Sequence, residues 1–213
     1  RPAYQGLMGV WAQTQDDAER LRTLGALVQG VTGNLKFDAK PDAHQLALAL
    51  VWKERLHRGV VMLSSSREGE EQMWLDAMQA LHDQQLESQA HAQHVQWLIV
   101  PRHPQRFDEI ENLLTSRGWQ VSRKSSWSDG PPDSDLGLTP TLWLGDSMGE
   151  MALYYGLSDA ALLGGSFEPY GGQNLIEATA CGCPVVMGPH TFNFAEAAEL
   201  AQAAGAALRV QDM

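Results

Sequence analysis

The sequence predicts a doubly wound α/β domain, a parallel sheet sandwiched between helices. Two observations predict it. Short, unbroken apolar runs such as Trp97-Leu98-Ile99-Val100 and Ala160-Ala161-Leu162-Leu163 suit strands buried on both faces. These runs alternate with longer helical segments, as successive βα units require. With 213 residues, 44% of them hydrophobic, the chain can bury a full core as one domain, or one domain plus a fragment.

Taken in order, residues 8–12 read as a strand and 15–24 as a helix. Gly30-Val31-Thr32-Gly33-Asn34 is bracketed by glycines and reads as a hinge or linker. Pro41 opens a helix whose apolar positions are Leu46, Ala49, Leu50 and Trp52. A strand at 59–64 then precedes a helix at 68–89, and a strand at 95–100 precedes a helix at 105–117. A weaker strand at 119–123 leads to the loop Asp129-Gly130-Pro131-Pro132-Asp133. The strand 141–145 meets a helix at 149–156, and the strand 160–164 meets one at 174–180. A strand at 184–187, a helix at 194–204 and a strand at 206–210 complete the series. No capping segment precedes the first strand and only three residues follow the last. Both ends are therefore expected to be cuts in a longer chain. The helix-borne Met73, Trp74 and Met78 are expected in the core.

Fifteen basic residues against 26 acidic ones give a formal charge of −11. That balance disfavours nucleic acid and anionic lipid as partners. No apolar run reaches the roughly 20 residues of a membrane span, and residues 1–10 are not a signal peptide. Cys181 and Cys183 stand too close to pair well and lack a second pair for zinc. A reduced, cytosolic chain with buried small cysteines is expected, with no metal site.

In folds of this class the ligand sits outside the carboxyl ends of the strands. Four strand-end loops carry suitable chemistry. Ser64-Ser65-Ser66 enters a helix whose first turn holds Glu68, Glu70 and Glu71, which suits either an anion site or an N-cap with first-turn carboxylates. Arg102 and His103 sit between Pro101 and Pro104, where an arginine fork matches phosphate oxygens or is simply solvated. Met148, Gly149 and Glu150 offer backbone N–H groups and a carboxylate at a helix start. The richest stretch runs from Gly164 through Gly165, Ser166, Gly171 and Gly172 to Asn174, Leu175, Ile176 and Glu177. Its glycines make a concave backbone surface, and Asn174 and Glu177 share one helical face. The same pair also suits a capping box. His190 and Asn193, in a last loop, could reach the cleft. Together these residues specify a nucleotide or sugar phosphate held in a parallel-sheet cleft.

Five stretches in this order also resemble one family. They are Thr32-Gly33-Asn34-Leu35-Lys36-Phe37-Asp38, Pro101-Arg102-His103-Pro104-Gln105-Arg106-Phe107, Gly145-Asp146-Ser147-Met148-Gly149-Glu150, Gly171-Gly172-Gln173-Asn174-Leu175-Ile176-Glu177-Ala178 and Gly188-Pro189-His190-Thr191-Phe192-Asn193-Phe194. From about Val10 onward the chain resembles the 3-deoxy-D-manno-octulosonic acid (Kdo) transferases of lipopolysaccharide assembly. The resemblance implies a Rossmann-like domain, the C-terminal half of a GT-B glycosyltransferase. On that reading residues 1–33 are the last strand and helix of a truncated N-terminal domain plus linker, and 34–213 are the nucleotide-sugar-binding domain.

The implied donor is CMP-Kdo and the implied acceptor a lipid A precursor, lipid IVA, at the cytoplasmic face of the inner membrane. Transfer is expected to invert the sugar centre without metal or cofactor, with the catalytic base in the missing domain. The fragment itself is expected to be soluble and inactive in transfer. Carried over by position, Pro101, Arg102 and His103 meet the CMP phosphate or ribose. Met148, Gly149 and Glu150 line the nucleotide site, and Gly172, Asn174, Leu175, Ile176 and Glu177 bind ribose and phosphate. Ser64, Ser65, Gly165 and Ser166 are secondary candidates. The chain departs from the family pattern at Gln173 (usually histidine), Leu175 and Thr179 (usually prolines) and Ser66-Arg67 (commonly Thr-His). Two other readings stay open: a GT-B transferase or epimerase-like protein using a UDP-linked sugar, and a non-catalytic α/β nucleotide-binding module.

Overall fold

A computed structural model describes residues 2–38, 40–84, 95–132 and 141–213. The chain divides into two compact units, Arg1–Lys40 and Pro41–Met213.

The first unit holds α1 (Pro2–Gln5), β1 (Val10–Ala12), α2 (Gln15–Thr23) and β2 (Val28–Val31). Strands β1 and β2 pair in parallel, crossed by α2. Thr14 starts α2 by accepting from the Asp17 amide at 3.1 Å; Asp16 and Asp17 lie in the positive first turn and Arg20 and Arg22 in the last. Both the short α1 and β2 go beyond the sequence reading. Gly30 lies inside β2, so the expected hinge is partly a strand; a central glycine hid it.

The second unit contains α3 (Ala43–Lys53), β3 (Gly59–Ser66), α4 (Glu70–Gln84), β4 (Val95–Pro101), α5 (Phe107–Ser116), β5 (Gln120–Arg123), β6 (Thr141–Leu144), α6 (Met151–Leu157), β7 (Ala160–Leu163), α7 (Leu175–Ala180), β8 (Val185–Met187), α8 (Ala195–Ala203) and β9 (Ala207–Arg209). The expected end of the helix at 85–89 and Asp133 of the expected loop lie outside the described residues. Asp42, the residue after Pro41, caps α3 by accepting from the Gln45 amide at 3.0 Å. Short 3-10 turns at Pro104–Arg106 and Phe192–Phe194 replace the expected first turns of α5 and α8.

Among the described residues these seven strands form one parallel sheet in the order β5-β6-β4-β3-β7-β8-β9. Alternate residues face opposite layers, as the period of two demands. Val60, Met62, Leu98, Val100, Trp143, Ala161 and Leu163 pack with Tyr154, Tyr155, Leu175 and Ala198 from α6, α7 and α8. Leu63, Ile99, Leu142 and Leu144 pack with Trp74 and Leu75 of α4 and Ile110 and Leu114 of α5. Trp74 is buried as expected, Met78 packs partly buried against the same cluster, and Met73 is half-buried.

From β3 the chain winds first to the β4 side and later to the β7 side. The strand order therefore reverses between β3 and β7, the point at whose carboxyl ends folds of this class form their ligand crevice. The two strand ends come very close. Gly164 donates to the Ser64 carbonyl at 2.8 Å, and a Cβ at Gly164 would lie 2.4 Å from the carbonyl oxygens of Ser64 and Ser65. Only glycine allows this approach.

Candidate functional site

The carboxyl ends of four adjacent strands, β6, β4, β3 and β7, carry most of the residues that the sequence singled out, and the loop after β8 carries His190 and Asn193. Pro101 ends β4, buried, in register with Ser66 of β3. Arg102 follows, exposed, and its amide donates to the Ser66 carbonyl at 3.0 Å. His103 is half-buried before the Pro104–Arg106 turn; its side chain makes no capping bond, while its carbonyl accepts from the Arg106 amide at 3.0 Å.

Across the crevice, Gly172 (φ +79°) donates to the Gly165 carbonyl at 2.6 Å, and Gln173 to the Gly164 carbonyl at 3.0 Å. These bonds fold the glycine loop back on itself and deliver Asn174 to the start of α7. The Asn174 side chain makes no capping bond, and its buried Oδ1 has no hydrogen-bond partner. The capping box that the Asn174–Glu177 spacing also allowed is thus not formed. Leu175 is fully buried and Ile176 nearly so; their side chains belong to the core, so backbone is what they can offer a ligand.

Glu177 is half-buried in the first turn of α7. Burial raises its carboxyl above the ordinary glutamate value, and the nearby charge of Arg102 pulls it back down. The topology thus brings Arg102, after β4, and Glu177, after β7, to the same end of the sheet although they stand 75 positions apart in sequence (177 − 102). A guanidinium, a carboxylate and an unpartnered amide oxygen at a parallel-sheet crevice can recognise a phosphate and neighbouring hydroxyls.

After β6, Met148 is 60% exposed, and Gly149 has φ +76° with open space where a Cβ would be. This loop is held from its other side. Lys124 Nζ pairs with both Glu150 oxygens, at 2.7 and 2.6 Å. Asp146 accepts from the Ser125 amide and hydroxyl at 2.8 and 2.6 Å, and Gln45 donates to the Gly149 carbonyl at 2.8 Å. Glu150 is therefore an ion-paired acceptor rather than a free carboxylate.

Of the secondary candidates, Ser64 and Ser166 are fully buried and committed to the fold. Ser64 Oγ donates to the Leu162 carbonyl at 3.1 Å; Ser166 Oγ donates to that of Leu163 and accepts from the Gly188 amide at 2.8 Å. Ser65 is half-buried with φ +49°, a left-handed conformation unusual outside glycine and a source of local strain. Gly165 gives its amide to Glu70 at 2.7 Å. His190 and Asn193 stitch loops together: the His190 amide bonds the Ser166 carbonyl, and Asn193 Nδ2 the Tyr170 carbonyl, both at 2.9 Å.

Sequence reasoning missed two carboxylates. Glu70 and Glu71 read only as first-turn acids beside an N-cap, yet both are buried. Glu70 accepts from the amides of Arg67, Gly165 and Phe167, while Glu71 takes Ser66 Oγ at 2.6 Å and a two-pronged bond from Arg106. The available signal was the unusual density of hydroxyls and acids in 64–71 together with Arg106 in the next strand-end loop.

Burial pushes the Cys181 and Cys183 thiols up to about 11 and about 12, so both are protonated near neutrality and neither is a reactive thiolate. Among the described residues no group of three or more His, Cys, Asp or Glu is placed to hold a metal ion. Nor is any helix among them long and apolar enough to cross a membrane.

No family model matches the chain. Individual proteins do. The chain is 46% identical, over its whole length, to a 3-deoxy-D-manno-octulosonic acid transferase of Bordetella pertussis, covering 47% of that protein. It is 35% identical over 87% of its length to the enzyme of the same name from Haemophilus influenzae, covering 41% of it. The chain thus spans about half the length of these curated relatives. Among solved structures it is similar to the C-terminal CMP-Kdo binding domain of WaaA from Acinetobacter baumannii. That match has 30% identity and a TM-score of 0.67, and covers 80% of this chain and 84% of the other.

Proposed function

This chain belongs to the 3-deoxy-D-manno-octulosonic acid transferase family, and from that premise we propose that it is the donor-binding half of such an enzyme, holding CMP-Kdo at the carboxyl ends of β6, β4, β3 and β7. One observation carries the reading: Arg102, just after β4, and Glu177, at the start of α7, stand on either side of the point where the strand order reverses. Arg102 binds the CMP phosphate. Glu177 and Asn174 accept from ribose hydroxyls, and the backbone amides that open α7 face the same ligand. Met148 and the loop held by Lys124 cover the cytosine.

On this reading the whole enzyme transfers Kdo to a lipid A precursor, lipid IVA, at the cytoplasmic face of the inner membrane. Residues 1–33 are the end of its N-terminal domain, which supplies the base that deprotonates the acceptor hydroxyl. Attack from the face opposite CMP inverts the sugar centre. Arg102 stabilises the phosphate charge that develops as CMP leaves, so that neither metal nor cofactor is required. The same similarity supports this donor over a UDP-linked sugar or a module without chemistry.

Calorimetric competition between CMP and UDP on this chain tests the proposal. CMP is expected to bind and to displace UDP, while transfer requires the full-length enzyme. Tighter binding of UDP, or no binding of either, would reject it.

A further inference from the structure

Three N–H groups at the point of strand reversal are already occupied. Glu70 is fully buried, and its carboxylate accepts from the amides of Arg67 at 2.9 Å, Gly165 at 2.7 Å and Phe167 at 3.1 Å. These donors belong to the turns after β3 and after β7, the two strands between which the order reverses. Free amides converging at such a point are what an incoming phosphate would otherwise use. An acid of the chain's own takes them instead.

The residues that hold that acid adjoin the binding loops. The Ser66 carbonyl, next to Arg67, accepts from the Arg102 amide, and the Gly165 carbonyl accepts from Gly172, two residues before Asn174. The neighbouring carboxylate, Glu71, is neutralised by Arg106. Burial raises the Glu70 carboxyl above the ordinary glutamate value, but three backbone amides donate to its two oxygens, an arrangement that suits the ionised form. On the ligand side, Arg102 follows β4, exposed, and its charge lowers the Glu177 carboxyl.

We propose that Glu70 sets the phosphate count of the donor: as a built-in anion beneath the crevice it leaves a place beside Arg102 for one phosphate and repels a second. The cleft then prefers a nucleoside monophosphate, or a sugar joined through one, over a diphosphate. Glu70 is thus a specificity-determining residue that need not touch the ligand. The inference rests on the donor reading above and adds what selects the phosphate count.

Titrating the chain with CMP and with CDP tests it. In the parent, CMP binds more tightly than CDP by about tenfold or more, the scale of a like-charge juxtaposition of several kcal/mol partly screened by solvent. In Glu70→Gln, which keeps the shape and removes the charge, that ratio falls toward one; in Glu70→Asp, which keeps the charge, it persists. A lost fold alone would weaken both ligands together and leave the ratio where it was. An unchanged ratio in Glu70→Gln, or a parent that binds CDP as well as CMP, overturns the proposal. Should Glu70→Gln not fold, the parent decides. A tenfold preference with the Gly165 and Phe167 amides protected from exchange in the free protein supports it, and exchange of both at the rate of open loops overturns it. A parent that binds neither nucleotide sinks the donor reading itself, a result distinct from all of these.

Discussion

The guanidinium of Arg106 grips both carboxylate oxygens of Glu71, at 2.8 and 3.1 Å, with both side chains buried. Ser66 Oγ adds a third bond to the same carboxylate at 2.6 Å, and Arg106 also reaches Glu109 at 3.2 Å. The pair ties the start of α4 to the turn that presents Arg102 and His103. A buried ion pair stabilises little relative to an apolar pair, but breaking it strands a charge. Arg106→Met is therefore expected to lower stability by roughly 3–5 kcal/mol, read by urea unfolding. The double variant Arg106→Met/Glu71→Leu should recover much of that loss. A single variant as stable as the parent would contradict the role.

Glu177→Ala should weaken CMP binding by roughly 1–3 kcal/mol, the cost of losing a hydrogen bond to a charged group. Calorimetry reads this directly, and an unchanged affinity removes Glu177 from the site.

The acid–base behaviour of Glu177 gives an independent check. Burial raises its carboxyl and Arg102 lowers it, with burial the larger influence. Because the folded-state value is raised, the group favours folding below its unfolded value and that contribution fades as pH rises through the folded one. Removing Arg102 takes away the lowering influence. In Arg102→Ala the carboxyl should titrate at higher pH than in the parent, as followed by the carboxyl carbon shift of Glu177. Coincident titration curves would show the two residues to be uncoupled.

Much of this was legible beforehand. The inner strands of the large sheet, such as β4 and β7, lie where apolar runs placed them, because a strand buried on both faces writes itself as an unbroken hydrophobic run, while the edge strand β5 left only a weak signal. The loops after those strands were legible too, since glycines and prolines mark turns. The inward turn of Glu70 and Glu71 was not. A carboxylate counts as surface in any hydrophobic pattern, and its partners, Arg106 and the amides of Gly165 and Phe167, lie 35 to 97 positions away. Several glycines also mean something different from what their abundance implied. The glycine at 164 is demanded by the approach of one strand end to the next rather than by a ligand.

That approach is itself testable. Gly164→Ala would drive a methyl group against two backbone carbonyls that belong to the central strand. A loss of about 2 kcal/mol or more is expected, in the upper range for overpacked sites, read by thermal unfolding. A neutral substitution would mean the strand ends can part freely.

Lys124→Met should leave stability within about 1 kcal/mol of the parent, since the pair it forms with Glu150 is partly solvated. It should nonetheless weaken CMP binding severalfold by freeing the loop of Met148. Equal affinity in the two proteins would show that the loop does not cover the nucleotide.

The most direct test is an amide-resolved NMR titration of this chain with CMP. Saturable shifts are expected at residues 101–103, 148–150 and 172–177, the ends of β4, β6 and β7, with the far ends of the same strands unmoved. Shifts confined to other surfaces, or none at millimolar nucleotide, would contradict a cytidine nucleotide site at this crevice.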